Sequence, residues 1–192
     1  MGLFFKAKEQ KNYGEDLPED TLLAFKAADG DENSFETLLR KYERFVSTCV
    51  YPIIGSADDT ADVCQEVFLK VYRSLSSFKG ESSFSTWLYR VAKNCAYDFV
   101  RKKKGENVSL DETDEDGKGL ELPDTDEKNY PEQTALKNER KQFLWAAVSR
   151  LSDEHREIIV LRDINDYTYE QIAQMTGLEP GTVKSRLFRA RE

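Results

Sequence analysis

The stretch Tyr169-Glu170-Gln171-Ile172-Ala173-Gln174-Met175-Thr176-Gly177-Leu178-Glu179-Pro180-Gly181-Thr182-Val183-Lys184-Ser185-Arg186-Leu187 decides how the C-terminal part of this chain folds. A helix-turn-helix needs a small residue where its two helices approach and a turn residue that tolerates positive φ. It also needs apolar residues on the second helix facing the first. Ala173 supplies the small residue, Gly177 the turn, and Leu178, Val183 and Leu187 the packing face. Pro180 suits the first turn of the second helix, where a missing N–H is harmless. Gly181, Thr182, Lys184, Ser185, Arg186 and Arg189 are then expected to point outward, and residues 180–192 carry a net charge of +3. Such a helix fits a major groove, with its N-terminal residues at base edges and its cations on phosphates. An ordinary helical hairpin with a solvated basic face is the plainer alternative.

Upstream of this hairpin the apolar spacing again reads as helical in two modules. Helices are expected near Pro131–Arg150 and Ser152–Asp163 in the same C-terminal module. Farther back, Phe35, Leu38, Leu39, Tyr42, Phe45 and Val46 recur at helical steps in a segment from Ser34 to Tyr51, preceded by a short helix from Thr21 to Ala28. Asp58 or Asp59 can cap a third helix to about Leu75, with Val63, Val67, Val71 and Leu75 on one stripe. Phe78-Lys79-Gly80-Glu81-Ser82-Ser83 reads as a loop, and Ser83 or Ser85 can cap a long helix to about Lys103. No strand-like alternation of useful length is present. The expected fold is all-α, with two small helical domains joined by an acidic flexible linker and the C-terminal domain a helix-turn-helix.

Charge places the boundary between those domains. The 192 residues carry a net charge of −8. Residues 1–104 balance at 16 acidic and 16 basic groups, residues 105–135 hold 11 acidic and 2 basic, and residues 136–192 hold 9 acidic and 10 basic. The acidity therefore belongs to one segment, and function is read from local charge. With Asp111-Glu112-Thr113-Asp114-Glu115-Asp116-Gly117, Pro123 and Pro131, that segment cannot bury enough apolar surface to offset chain entropy. The division is 16–104, an acidic linker 105–133, and 134–192. The linker is either a solvated tether or an extended strap whose carboxylates mimic a nucleic-acid strand. At about 3.3–3.6 Å per residue it can span tens of ångströms.

Composition removes several function classes. Hydrophobic residues are 39% and charged residues 33%, and ten Gly with five Pro are too few for a turn-rich β fold. No apolar run approaches the roughly 20 residues of a membrane span, and Met1 to Lys11 lacks the apolar core of a signal peptide. A cytoplasmic protein is expected. Cys49, Cys64 and Cys95 form no CxxC pair, and His155 is the single histidine, so neither a disulfide framework nor a zinc site is expected. Asp58, Asp59 and Asp62 are followed by no further oxygen ligands at EF-hand spacing. His155 lies in a helix-start stretch and reads as a surface side chain. No clustered acid, base or nucleophile suggests an enzyme.

Two further faces carry chemistry. In Phe84 to Lys104 the core stripe is Leu88, Val91, Ala92, Cys95 and Phe99, and the opposite face shows Trp87, Arg90, Asn94, Tyr97 and Arg101. Net charge over this segment is +5. Rings interleaved with cations suit bases that have left a duplex; equally, a Trp or Tyr on an amphipathic helix is often core, and a basic end complements the helix dipole. The preceding helix has a polar face of Asp62, Gln65, Glu66, Leu69, Lys70 and Arg73, which by itself reads as solvated.

In this order the segments resemble a known family. Ala57-Asp58-Asp59-Thr60-Ala61-Asp62-Val63-Cys64-Gln65-Glu66-Val67-Phe68 is similar to the polymerase-binding signature of bacterial sigma factors. Phe84-Ser85-Thr86-Trp87-Leu88-Tyr89-Arg90-Val91-Ala92-Lys93-Asn94 is similar to their promoter-melting helix, and Leu151 through Arg191 to their C-terminal promoter-binding module. The compact layout resembles the extracytoplasmic-function group. The resemblance implies that Asp62, Gln65, Glu66 and Phe68 meet the coiled-coil of the polymerase β′ subunit, although by spacing Phe68 is equally a core residue. It implies that the loop from Phe78 through Lys79 to Ser83 captures a flipped base of the minus-ten element. Trp87, Arg90, Asn94, Tyr97 and Arg101 would separate the strands beside it. Thr182, Lys184, Ser185, Arg186 and Arg189 would read the minus-thirty-five element. Core RNA polymerase (β′ and β subunits), promoter DNA and an anti-sigma factor are the implied partners, with no cofactor, no metal and no direct membrane insertion. Thr176 departs from the family pattern, which has an apolar residue there. The sequence ends at Glu192, within or just after the recognition helix, where relatives usually run on. A helix-turn-helix regulator with an N-terminal helical sensing domain is the competing reading.

Overall fold

The computed structural model describes residues 17–106 and 143–192. Residues 1–16, the acidic linker from residue 107 onward and the expected helix from Pro131 as far as residue 142 lie outside the described residues, whereas 105 and 106, expected to open the linker, still belong to the helix before it.

Four helices form the N-terminal half: α1 (Glu19–Ala28), α2 (Glu32–Ile54), α3 (Ala57–Ser74) and α4 (Phe84–Glu106). Local chemistry sets their ends. The Asp31 carboxylate accepts from the Asn33 amide at 3.2 Å and the Ser34 hydroxyl at 2.6 Å, starting α2. Gly55 stops that helix in the left-handed region at φ 79°. Ser56, two residues before the expected Asp58, caps α3, its hydroxyl accepting from the Asp59 amide. Asp58 and Asp59 sit in the first turn, where the helix dipole favours them. Ser83 caps α4, accepting from the Thr86 amide at 3.2 Å.

The anticipated stripes meet in one core. Leu38, Tyr42, Phe45 and Val46 of α2, Val63, Val67 and Val71 of α3, and Leu88, Ala92 and Cys95 of α4 are all buried. On α1 the buried positions are small, Thr21, Ala24 and Ala27, so this helix lies close upon its neighbours. Asp20 anchors it to α2, accepting from the Tyr42 hydroxyl at 2.7 Å and pairing with Lys41 at 2.5 Å.

The C-terminal half begins with a described helical segment, α5 (143–149), followed by α6 (Asp153–Ile159), α7 (Tyr169–Thr176) and α8 (Pro180–Arg191). Thr168 and Gln171 form a reciprocal capping box at the start of α7, and Gly177 ends it at φ 76°. Ile172, Met175, Val183 and Leu187 fill the space between α7 and α8. Thr176, polar where an apolar side chain was expected, is accommodated by donating its hydroxyl to the Ile172 carbonyl at 2.7 Å. The helix expected to run unbroken from Ser152 to Asp163 instead widens into a π turn over Val160–Ile164, closed by the Asn165 amide on the Val160 carbonyl at 3.1 Å.

The halves pack against each other, which composition did not reveal. Phe45 of α2 meets Tyr167 after the π turn with ring centroids 5.4 Å apart, and Tyr51 meets Trp145 of α5 at 5.2 Å. Arg156 of α6 is the hub. Its guanidinium donates to the carbonyls of Val148, Ser149 and Leu151, and across the junction to Pro52 of α2 at 2.8 Å.

Candidate nucleic-acid interface

The α4 face is set by its core. Because Leu88, Ala92, Cys95 and Ala96 turn inward, Arg90, Asn94, Tyr97 and Arg101 emerge on the opposite side and are exposed. Arg101 pairs with Asp98 one turn back. Trp87 is half-buried, its indole packed on Phe78 at 5.5 Å and Phe84 at 5.9 Å between ring centroids. One edge of this ring is core and the other faces the loop that precedes α4.

Phe78 requires a correction. Expected among the base-capturing loop residues, it is 5% exposed and wedged among Phe25, Phe84 and Trp87. Its apolar ring follows the single 3-10 turn Leu75–Ser77 after α3 and packs among those side chains, so its first role is to hold the loop. Ser83 is exposed but already occupied, bonding the Thr86 amide and hydroxyl as the α4 cap. Lys79 is exposed and free to meet a ligand. Beside the loop lies an open hollow of about 640 Å³ lined by Ser77, Phe78, Lys79, Glu81, Ser82, Thr86, Trp87 and Arg90, with Gln174 of α7 on its far wall. The hollow offers an aromatic edge, hydroxyls, two cations and the Glu81 carboxylate.

On α3, Asp62, Gln65 and Glu66 are all exposed, and the outward Leu69 beside them keeps 55% of its surface in water. Phe68 is half-buried against the core, the packing role that its spacing allowed. A single apolar side chain in the open is ordinary on a protein surface, so what sets this face apart is the company of Asp62, Gln65 and Glu66.

On α8, Lys184, Ser185 and Arg189 are exposed. Thr182 is half-buried, and its carbonyl accepts the Ser185 hydroxyl at 3.0 Å. Arg186 departs from the expected outward position. Its side chain is 23% exposed and paired with Glu154 of α6 at 3.0 Å, because that stretch of α8 crosses the start of α6. Phe188, 66% exposed, lies among these cations and was not singled out by the sequence reading.

The cysteines offer no reactive centre. Burial pushes the Cys64 thiol up to about 11 and the Cys49 thiol higher still. Among the described residues no cluster of His, Cys, Asp or Glu is arranged to hold a metal ion, and none of the helices is long and apolar enough to cross a membrane.

Comparison with known proteins matches this arrangement from both ends. The family model for sigma-70 region 2 matches residues 38–106, and that for sigma-70 region 4 matches residues 143–192. The ECF RNA polymerase sigma-E factor of Escherichia coli strain K12 is 36% identical over 177 residues, covering 90% of this chain and 91% of its own. The chain belongs to the ECF family of RNA polymerase sigma factors. The sigma-E factor of Haemophilus influenzae is 34% identical over the same length, covering 90% of this chain and 92% of its own. Among solved structures, the sigma factor RpoE of Bartonella quintana, in complex with the anti-sigma factor NepR, shares the fold at a TM-score of 0.61. Its identity is 24%, over 82% of this chain and 91% of that one. This sigma factor therefore carries region 2 on α2 to α4 and region 4 on α5 to α8.

Proposed function

We propose that this sigma factor works through three separate faces: α3 on core RNA polymerase, α4 with its preceding loop on the minus-ten element, and α8 on the minus-thirty-five element. The observation that carries this reading is the line of Trp87, Arg90, Asn94, Tyr97 and Arg101 along α4, ending at the hollow beside Lys79. Stacking surfaces and cations at that spacing suit a strand whose bases have been unpaired. Lys184, Ser185 and Arg189 suit intact duplex, joined by Thr182 and by Arg186 once its pair with Glu154 is exchanged for a phosphate. Asp62, Gln65 and Glu66, with Leu69 between their turns, suit a basic and partly apolar partner surface on the polymerase. Phe68 supports that face from beneath, and Phe78 likewise holds the minus-ten loop. An anti-sigma factor that covers these faces, action in the cytoplasm and the absence of any catalytic step of its own complete the proposal.

The two DNA-facing modules should fail in different ways. Replacing Lys184 with Ala should weaken binding of the holoenzyme to upstream duplex and reduce the salt slope by about one. Replacing Trp87 with Ala should spare that binding and impair strand opening, since a stacking platform contributes about 1–3 kcal/mol per base. Permanganate footprinting at saturating protein separates the two effects. Normal opening by Trp87→Ala would remove α4 from the melting role.

A further inference from the structure

A second cleft, of about 350 Å³, lies where α4 passes α2 and α6, and it shares no lining residue with the hollow beside Lys79. Cys49, Val160 and Leu161 form its floor, and all three are buried. Ile53 of α2 stands on one wall, half-buried. Along α4, Tyr97, Val100, Arg101 and Lys104 follow one another at steps of three and one residues, so a single stripe of that helix turns toward the cleft. It brings a ring, a branched aliphatic side chain and two cations to the same space.

The charges around the cleft do not cancel. Four cations, Lys93, Arg101, Lys104 and Arg156, stand with two carboxylates, Asp153 and Glu157. Glu157 is matched by Lys93 at 2.5 Å, and Asp153 by Arg156 at 3.2 Å. That guanidinium is further committed to the carbonyls of Val148, Ser149, Leu151 and Pro52. Arg101 pairs with Asp98 on its own helix, and both side chains are exposed, so exchanging that contact costs little. Lys104 belongs to no ion pair among the described residues and is exposed. The uncommitted charge is therefore positive, and the floor beneath it is apolar.

We propose that this cleft is a ligand site for a small amphipathic anion, an apolar body bearing one acidic group, with the body against Ile53, Val100 and Leu161 and the acid on Lys104 and Arg101. Sites for small molecules have this make-up, apolar walls with a few placed polar groups in about 300–1,000 Å³. A cleft at the small end of that range encloses one short molecule, whereas a partner helix would leave most of its surface outside. Tyr97 and Arg101 also belong to the strand-facing line proposed for α4. A phosphate backbone has no use for the apolar floor, however, so the ligand site stands independently of that reading.

Octanoate is the probe, with octanol and octyltrimethylammonium as neutral and cationic controls of equal chain length, each titrated below its micelle concentration into the full chain. Methyl NMR reads both the place of binding and the affinity. Octanoate is expected to give saturable shifts at Ile53, Val100, Val160 and Leu161, and to bind about threefold or more tighter than octanol, with the cation weaker still. Lys104→Glu should weaken octanoate about threefold or more and leave octanol unchanged. Val100→Trp fills the cleft and should weaken both about tenfold or more. Should Val100→Trp fail to fold by circular dichroism, the exposed Lys104→Glu exchange and the three probes decide the matter. Shifts that do not saturate, or that spread to the exposed Leu69 and Leu144, overturn the site. Equal binding of octanoate and octanol, or an unaltered octanoate affinity in Lys104→Glu, overturns the anion. Silence toward octanoate, with shifts at the same methyls only on adding an acidic amphipathic peptide, would make the cleft a protein groove and overturn the proposal as well.

Discussion

Replacing Arg156 with Met is expected to lower the stability of the chain by about 3 kcal/mol, on the scale of hydrogen bonds to charged groups. The side chain is only 18% exposed, and its guanidinium satisfies the carbonyls of Val148, Ser149, Leu151 and Pro52. Met retains the apolar stem but leaves those acceptors to whatever water can reach them. Lys would rescue little, because one ammonium cannot span a fork of four carbonyls. The neighbouring pair with Asp153 is a poor explanation for any loss, since that carboxylate is 71% exposed and such pairs contribute little. Thermal denaturation of the full chain should show a fall of about 6–12 °C for Arg156→Met and almost none for Asp153→Asn. Equal melting of parent and Arg156→Met would remove Arg156 as the hub of the junction.

A second large effect is expected on the α3 face. Reversing both charges, Asp62→Lys with Glu66→Lys, should weaken association with core RNA polymerase about tenfold or more. Among the described residues neither side chain belongs to an ion pair, and both are exposed. The fold should therefore hold to within about 0.5 kcal/mol. Titration of labelled core polymerase, alongside thermal melting of the free variant, reads both quantities. Undiminished affinity in a folded double variant would leave the α3 face as ordinary solvated surface.

How much of this could be read from the sequence follows from the range over which each force acts. The α2 and α3 stripes, the Gly177 turn and the Val183–Leu187 packing face obey spacing rules that hold within a few residues, and the structure places them as those rules require. Family resemblance carried the order of the modules, which spacing alone could not. Tyr89 shows where such reasoning stops. It lies beside the predicted α4 core stripe, and it is buried because α6, more than sixty residues away in the chain, covers it. Arg156 looked like part of a charged helix start, and only the fold shows it turned inward on carbonyls from both halves. The π turn is equally hidden, since Val160 to Ile164 has ordinary helical composition. Phe78 and Arg186 are less exposed than expected, for the same reason in opposite settings. A loop aromatic found an apolar pocket among Phe25, Phe84 and Trp87, and a cation on a DNA-facing helix found Glu154. The acidic segment was legible as a boundary from its charge alone.

The measurement closest to the central claim is transcription in vitro from total genomic DNA by core RNA polymerase with and without this chain, with 5′ ends mapped. Added chain is expected to create start sites that share two sequence elements at fixed separation, lost together when Asp62 and Glu66 are reversed. A chain that binds duplex DNA unaided yet adds no start sites to core polymerase would contradict the account, and would leave a helix-turn-helix regulator in its place.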